Sequence, residues 1–138
     1  MNDSSIYNDV LIKHNRFPSH KYSLPGAKYI HEGINPSCGD EIKIYLNTEN
    51  EIVTEGSFEG SMCAVSSGTA DMMLDLIKGK NREEIIELAD IVFRMYEEKA
   101  SEEEIAKLEE TGTLKEILTS KARRKCVLFV WKTLKETI

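Results

Sequence analysis

The spacing of apolar residues changes twice along the chain, from helical to alternating and back to helical. Near the start, Ile6, Val10 and Leu11 fall close to one face and predict a first helix over residues 4–15. Prolines at positions 18 and 25 predict that a loop over residues 16–27 follows it. The chain therefore opens with a short amphipathic helix and an irregular connection.

Alternation between apolar and polar residues predicts three strands after that loop. Residues 28–32 form a short candidate, and Ile42, Ile44 and Leu46 then mark a half-buried strand. Turn-forming residues at 47–50 lead into a third strand over residues 52–58, where Gly56 predicts a β-bulge. Together these strands predict a small antiparallel meander.

Helical spacing returns after Gly60 and continues through the rest of the chain. It predicts a helix over residues 63–78 and another that opens at Asn81, which forms a capping pair with Glu84. Ser101 and Thr113 are each followed by a glutamate three residues later, which predicts two short capped helices before a last helix over residues 121–135. Strands followed by helices predict a single α+β domain over residues 1–138, with a three-stranded antiparallel sheet packed as one layer against the helices.

Composition and charge narrow the classes of partner. The formal net charge is −6 and the pI is about 5.2, which argues against nucleic acid or an anionic membrane as the main partner. The polar start has no signal-peptide core, and no apolar run reaches the roughly 18 residues of a membrane span. We therefore expect a cytoplasmic protein with reduced cysteines. Its three widely spaced cysteines, an odd number, also argue against a disulfide framework.

The first cysteine lies in a loop that can present two ligands together. Pro36 fixes its own backbone angle and Gly39 permits conformations closed to other residues, so Cys38 and Asp40 can face one point. A thiolate and a carboxylate that converge in this way make half of a site for Zn²⁺ or iron.

The other two cysteines are predicted to lie near the starts of helices. Cys63 follows Gly60 where strand gives way to helix, and unpaired backbone N–H groups there favour the thiolate. Cys126 follows Arg123, Arg124 and Lys125, whose charges would lower its pKa or neutralise an anionic metal–thiolate cluster. The residues alone also allow a purely structural interpretation, in which Cys126 is a small core residue and the three cations lie on a solvated helix start.

Four segments together resemble one known family, and they are residues 35–40 (NPSCGD), 58–63 (FEGSMC), 123–126 (RRKC) and 131–134 (WKTL). They resemble the signature segments of the IscU/NifU N-terminal family of iron–sulfur cluster assembly scaffolds, and the similarity covers nearly the whole chain. The chain looks closest to the SufU type, because residues 118–125 lack the Leu-Pro-Pro-Val-Lys segment of IscU proteins and residues 123–126 match the Arg-x-Lys-Cys pattern of SufU proteins. The resemblance implies a SufE/NifU-like fold.

The same resemblance implies a function and a set of site residues. A zinc ion would be held by Cys38, Asp40, Cys63 and Cys126. A cysteine desulfurase of the SufS, IscS or NifS kind would pass sulfur to Cys126 or Cys63, with Arg123 and Lys125 tuning the charge. The protein would then be a sulfurtransferase partner rather than a stand-alone enzyme, and it would serve downstream iron–sulfur assembly proteins.

Two alternatives stay open. Cys38, Cys63 and Cys126 could hold a transient [2Fe–2S] cluster on a scaffold, because cysteine-rich sites suit such clusters. The chain could instead be a metal-stabilised protein-interaction module without sulfur chemistry. Residues 68–71 (GTAD) replace the small Ala and Ser residues usual in the family, so a different partner-facing surface is expected there.

Overall fold

The computed structural model describes residues 8–138, and in that part of the chain a three-stranded sheet is followed by helices. The elements are α1 (Asp9–Arg16), β1 (Tyr29–Ile34), β2 (Glu41–Glu49), β3 (Ile52–Glu59), α2 (Ala64–Ile77), α3 (Arg82–Tyr96), α4 (Glu102–Lys107), 3₁₀ helices at Glu109–Lys115 and Ile117–Thr119, and α5 (Arg124–Thr137). The α+β prediction is confirmed. Residues 4–7 of the predicted first helix lie outside the described residues, and α1 is capped by Asn8, whose side chain accepts a hydrogen bond from Leu11 N at 2.8 Å.

The sheet is antiparallel in the order β1-β2-β3, which confirms the predicted meander. The predicted turn at residues 47–50 is wrong by a few residues, because β2 continues through Glu49 and the chain reverses at Asn50 and Glu51. Both of these residues have positive φ, at 52° and 66°. Asn tolerates this left-handed conformation better than most residues, so a tight two-residue turn is possible there.

The predicted bulge lies elsewhere. Gly56 pairs in regular register with Leu46, and the irregularity falls one step further on, where Asn47 faces Glu55 but Thr48 faces Val53. Gly56 has a packing reason instead, because a Cβ there would lie 2.9 Å from a methyl of Leu74 and 3.0 Å from one of Leu46. The glycine lets α2 approach the sheet closely.

Helix α2 occupies the centre of the molecule and is buried along most of its length. It packs against β3, α5 and α1, while α5 also packs against β1 and β2. Gly68 permits the close approach of α1, because a Cβ there would overlap with the Leu11 side chain. Residues 68–71 are fully buried, so the expectation that they belong to a partner-facing surface is wrong.

Capping patterns predicted two helix starts correctly and one incorrectly. Asn81 and Ser101 both form complete capping boxes with the glutamate three residues on. Thr113 does not, because it lies inside the 3₁₀ helix Glu109–Lys115 and its hydroxyl donates back to Glu110 O at 2.7 Å. A hydroxyl that bonds to a preceding carbonyl cannot cap a following turn. Within residues 8–138, no helix is long and apolar enough to cross a membrane.

Candidate metal centre

Three segments that are distant in sequence meet at one end of α2. They are the loop between β1 and β2, the start of α2 and the start of α5. Ligand atoms of Cys38, Asp40 and Cys126 all lie within 4.8 Å of one another. The Cys63 sulfur is outside that group but lies 3.6 Å from Cys126 Sγ, so the structure brings all four predicted ligands into one neighbourhood.

The loop that carries Cys38 is closed by hydrogen bonds at its base. Asn35 N donates to Asp40 O at 2.8 Å, and Gly39 N donates to Asn35 O at 2.8 Å. Gly39 has a φ of +77°, a conformation that L side chains rarely adopt. This turn leaves Cys38 exposed and tucks Asp40 inward, where only 8% of its surface is accessible.

Cys63 is the N-cap residue of α2, and its half-buried sulfur accepts a hydrogen bond from Ser66 N at 3.4 Å. The hydrogen bond with Cys126 is the main reason that the pKa of the Cys63 thiol falls to about 6, and bonds from Ser66 lower it further against the effect of burial. The helix start therefore contributes to this lowered pKa only in part, through the Ser66 backbone N–H, and Cys126 has the larger effect.

The pKa of the Cys126 thiol is raised rather than lowered, which corrects the expectation drawn from its basic neighbours. The hydrogen bond with Cys63 and the burial of Cys126, which is 3% exposed, both raise this pKa. Two of the three cations contact other groups. Lys125 Nζ donates to Ser37 Oγ at 3.2 Å, and the Arg124 guanidinium lies 5.4 Å from the Tyr96 ring centre. Arg123 is the N-cap residue of α5, and its backbone N donates to Ser120 O at 3.3 Å.

Ser66 belongs to the site but was not singled out from the sequence. Its buried hydroxyl donates to Asp40 Oδ2 at 2.7 Å and lies 3.4 Å from Cys63 Sγ. Burial alone would raise the pKa of Asp40, but hydrogen bonds from Ser66, Cys38 and Cys63 together bring it below its ordinary value. The available signal for Ser66 was its position three residues after Cys63, on the first turn of a helix.

The donors suit zinc. Three free thiols and one ionised carboxylate supply four ligands, the usual number in zinc sites. Asp40 also has the hydrogen-bonded support that ligating carboxylates usually have, because Ser66 holds its second oxygen. The arrangement can therefore hold a soft or borderline metal ion and keep sulfur nucleophiles beside it.

Comparison with known proteins identifies the family. Residues 6–127 match the family model described as the NifU-like N terminal domain. The chain belongs to this family. A relative from Thermotoga maritima, named iron-sulfur cluster assembly scaffold protein IscU, is 35% identical over 133 residues, which cover 96% of this chain and 92% of the relative. The zinc-dependent sulfurtransferase SufU of Bacillus subtilis is 30% identical over 137 residues, with coverage of 99% and 92%.

Solved structures agree with the family assignment. A protein from Fervidobacterium islandicum AW-1, described as an iron-sulfur cluster assembly scaffold for the SUF system, superposes with a TM-score of 0.90 at 26% identity. The match covers 99% of this chain and 98% of that one. The N-terminal part of a NifU-like protein from Brucella abortus has a TM-score of 0.84 at 19% identity and covers 97% of this chain and 92% of that one, which supports the fold alone.

Proposed function

We propose that this protein is a zinc-containing sulfur acceptor in iron–sulfur cluster assembly, and that a cysteine desulfurase supplies the sulfur. The observation that carries the proposal is the convergence of Cys38, Asp40 and Cys126 within 4.8 Å, with Cys63 beside Cys126. The similarity to the zinc-dependent sulfurtransferase SufU of Bacillus subtilis supports it.

In the proposed site, Cys38, Asp40, Cys63 and Cys126 hold the ion. Zinc would supply a positive charge that keeps every ligating sulfur in the thiolate form, so that none needs a separate base. The chain's own groups do the rest. The loop at residues 35–40 orients Cys38 and Asp40, and Ser66 keeps Asp40 ionised and aimed.

Access decides which cysteine receives sulfur first. Once all ligating sulfurs are thiolates, ionisation no longer distinguishes them, and the incoming donor must reach one of them. Cys126 is 3% exposed and Cys63 is half-buried, whereas Cys38 is exposed on a loop. We therefore propose Cys38 as the first acceptor, in place of the Cys126 and Cys63 expected from sequence.

The transfer step balances without an added oxidant. The Cys38 sulfur attacks the outer sulfur of a persulfide on the desulfurase, and a new S–S bond forms as the old one breaks. The desulfurase cysteine leaves as a thiolate, so the electron pair of the broken bond stays with it. Cys38 is left as a persulfide that can pass the sulfur on.

The test maps the sulfur on the wild-type protein. The zinc-loaded chain is mixed with a cysteine desulfurase and cysteine, trapped with an alkylating reagent and analysed by peptide mass. We expect the extra sulfur on the Cys38 peptide and faster turnover of the desulfurase. Sulfur found only on Cys63 or Cys126 would overturn the choice of Cys38. No stimulation and no persulfide would favour an inert, metal-stabilised interaction module.

A second candidate, a scaffold that assembles a [2Fe–2S] cluster, is favoured by the name of the Thermotoga maritima relative. Here the cluster is cargo, and Cys38, Cys63 and Cys126 would bind its iron. Anaerobic incubation of the metal-free protein with iron and sulfide distinguishes the scaffold function from the sulfur-acceptor function. A chain-bound chromophore that passes to an apo-ferredoxin supports the scaffold, and colourless protein after desalting counts against it.

A further inference from the structure

A second cluster of metal-ligand side chains lies further along α2, away from the cysteines. Asp71 and Asp75 come eight and twelve residues after Cys63, which places them about 12 and 18 Å along the helix. Opposite them are His14 at the end of α1 and Glu110 in the 3₁₀ helix. His14, Asp75 and Glu110 each offer a ligand atom within 4.8 Å of the other two.

The buried imidazole of His14 is fixed in place by a carboxylate behind it. His14 is 4% exposed, and its Nδ1 lies 2.7 Å from Oδ2 of the fully buried Asp71. Asp71 is itself anchored, because its Oδ1 accepts a hydrogen bond from His20 N at 2.9 Å. Metal-ligating histidines almost always have this support, a carboxylate on one ring nitrogen that aims the other nitrogen at the ion.

The other ring nitrogen faces Glu110, whereas Asp75 Oδ2 lies 4.0 Å from His14 Nδ1. His14 Nε2 lies 2.9 Å from Glu110 Oε1, and Asp75 Oδ1 lies 2.6 Å from His20 Nε2. Asp75 and Glu110 also line a small cavity of about 70 Å³ between α2 and the 3₁₀ helix. That volume is enough for an ion with a water molecule beside these two carboxylates, since a water occupies roughly 30 Å³ of liquid. His14 does not line the cavity, so its imidazole would reach the ion from outside it.

We infer that His14, Asp75 and Glu110 bind one divalent transition-metal ion through nitrogen and oxygen donors. Three carboxylates, those of Asp71, Asp75 and Glu110, meet at His14, and a bound cation would add to the compensation that His14 and His20 give them. Lys13 gives only partial compensation, with its Nζ 3.9 Å from Glu110 Oε2. A mixed imidazole and carboxylate set without sulfur suits ions such as Fe²⁺, Co²⁺, Zn²⁺ or Mn²⁺.

In the metal-free protein a proton takes the place of the ion. Both ring nitrogens of His14 face carboxylates, so both must carry hydrogen to bond them. An ion that binds Nε2 displaces one proton, and binding should therefore tighten as the pH rises. This second site is independent of the sulfur chemistry, because it shares no residue with the cysteine site.

The test adds Co²⁺ to full-length protein that already carries one equivalent of Zn²⁺. We expect one further equivalent to bind by calorimetry, with heats that vary with the buffer because a proton is released. The absorption should show weak visible bands without the intense charge-transfer bands of cobalt–thiolate bonds. Thiolate bands would mean that zinc had not filled the cysteine site, which bears on the proposed function and not on this one.

Exposed members of the cluster provide variants that should fold. Glu110→Gln and Asp75→Asn change side chains that are 45% and 46% exposed, and each should weaken Co²⁺ binding at least tenfold. Glu109→Gln is the matched control, because Glu109 lines the same cavity but is not one of the three converging residues, and it should leave binding unchanged. The inference is overturned if no second equivalent binds, or if binding survives in both cluster variants. Either result would leave His14 as a charged hydrogen-bonded clamp only.

Discussion

Removing one hydroxyl should show how far the metal site depends on its support. Ser66→Ala deletes the donor that lies 2.7 Å from Asp40 Oδ2 and leaves the backbone of α2 intact. Ser67 is the matched control, because it is the next residue, is 2% exposed, and has a hydroxyl without a hydrogen-bond partner in the described part of the chain. Both variants remove the same atom from the same helix turn, but only one of them touches the site.

The expected size follows from the bond that is lost. A buried hydrogen bond to a charged group contributes about 1.5–3 kcal/mol, and Asp40 is 8% exposed, so solvent replaces little of it. The metal-free Ser66→Ala protein should lose about that much stability. Loss of such support typically weakens metal binding about 10–100-fold. Ser67→Ala removes a buried hydroxyl that has no hydrogen-bond partner in the described part of the chain, so it should lower neither the stability nor the zinc affinity.

The dependence on pH gives a further check with a definite sign. The pKa of Asp40 is lowered in the folded protein, so the stability it contributes is present above its ordinary value of 3.8 and is lost as the pH falls through the folded value. The difference in unfolding free energy between Ser66→Ala and the wild type should therefore become smaller under acid conditions. Urea unfolding of the metal-free proteins and zinc competition with a chromophoric chelator measure the two effects. Equal behaviour of the two serine variants in both assays would refute the supporting role of Ser66.

Three other outcomes are expected. Purified protein should hold about one zinc ion per chain, and removing it should lower the melting temperature by several degrees, since free zinc at about a thousand times Kd adds about 4 kcal/mol; unchanged melting would argue against a formed site. In metal-free protein, alkylation of Cys63 should be half-maximal near pH 6, set by its pKa of about 6, and Cys126→Ala should move that midpoint upward; a midpoint near pH 9 in the wild type would contradict the assignment. Gly60→Ala should lower the free energy of unfolding in urea by about 3 kcal/mol or more, because the φ of Gly60 is 145° and a Cβ there would overlap with Glu41 O. Gly79 has a φ of 84° but open space around it, so Gly79→Ala should lower it by only about 1–2 kcal/mol.

Local patterns were enough to predict the order of strands and helices and the residues that converge at the candidate metal centre. The period of the apolar residues gave the order of strands and helices, and the capping pair at Asn81 marked its helix to the residue. The three cysteines and Asp40 were recognisable as candidate ligands because each cysteine lies in a distinctive short segment. Patterns of this kind concern residues that are neighbours along the chain, so they report what one segment can do alone.

The sequence-based predictions were wrong or incomplete where a side-chain group bonds to a partner other than the one that its local sequence suggests. The Thr113 hydroxyl could cap a following turn or bond to a preceding carbonyl, and it bonds to Glu110. Cys126 follows three basic residues, but its thiol is governed by Cys63, a partner 63 residues away. Ser66 bonds to Asp40 across 26 residues. Only the packed fold brings such pairs together, and no local pattern records them.

The meeting of the three cysteine segments also makes the ion a cross-link. Metal bonds from the loop at Cys38 to the start of α5 at Cys126 would close a ring that includes β2, β3, α2, α3 and α4. Ring closure removes conformational freedom from the unfolded chain, and the effect grows only slowly with ring size. A disulfide at this place would provide a similar restraint, but it would consume two of the thiols. A metal ion restrains the same ring while leaving all three sulfurs available for exchange, and chelation can release it.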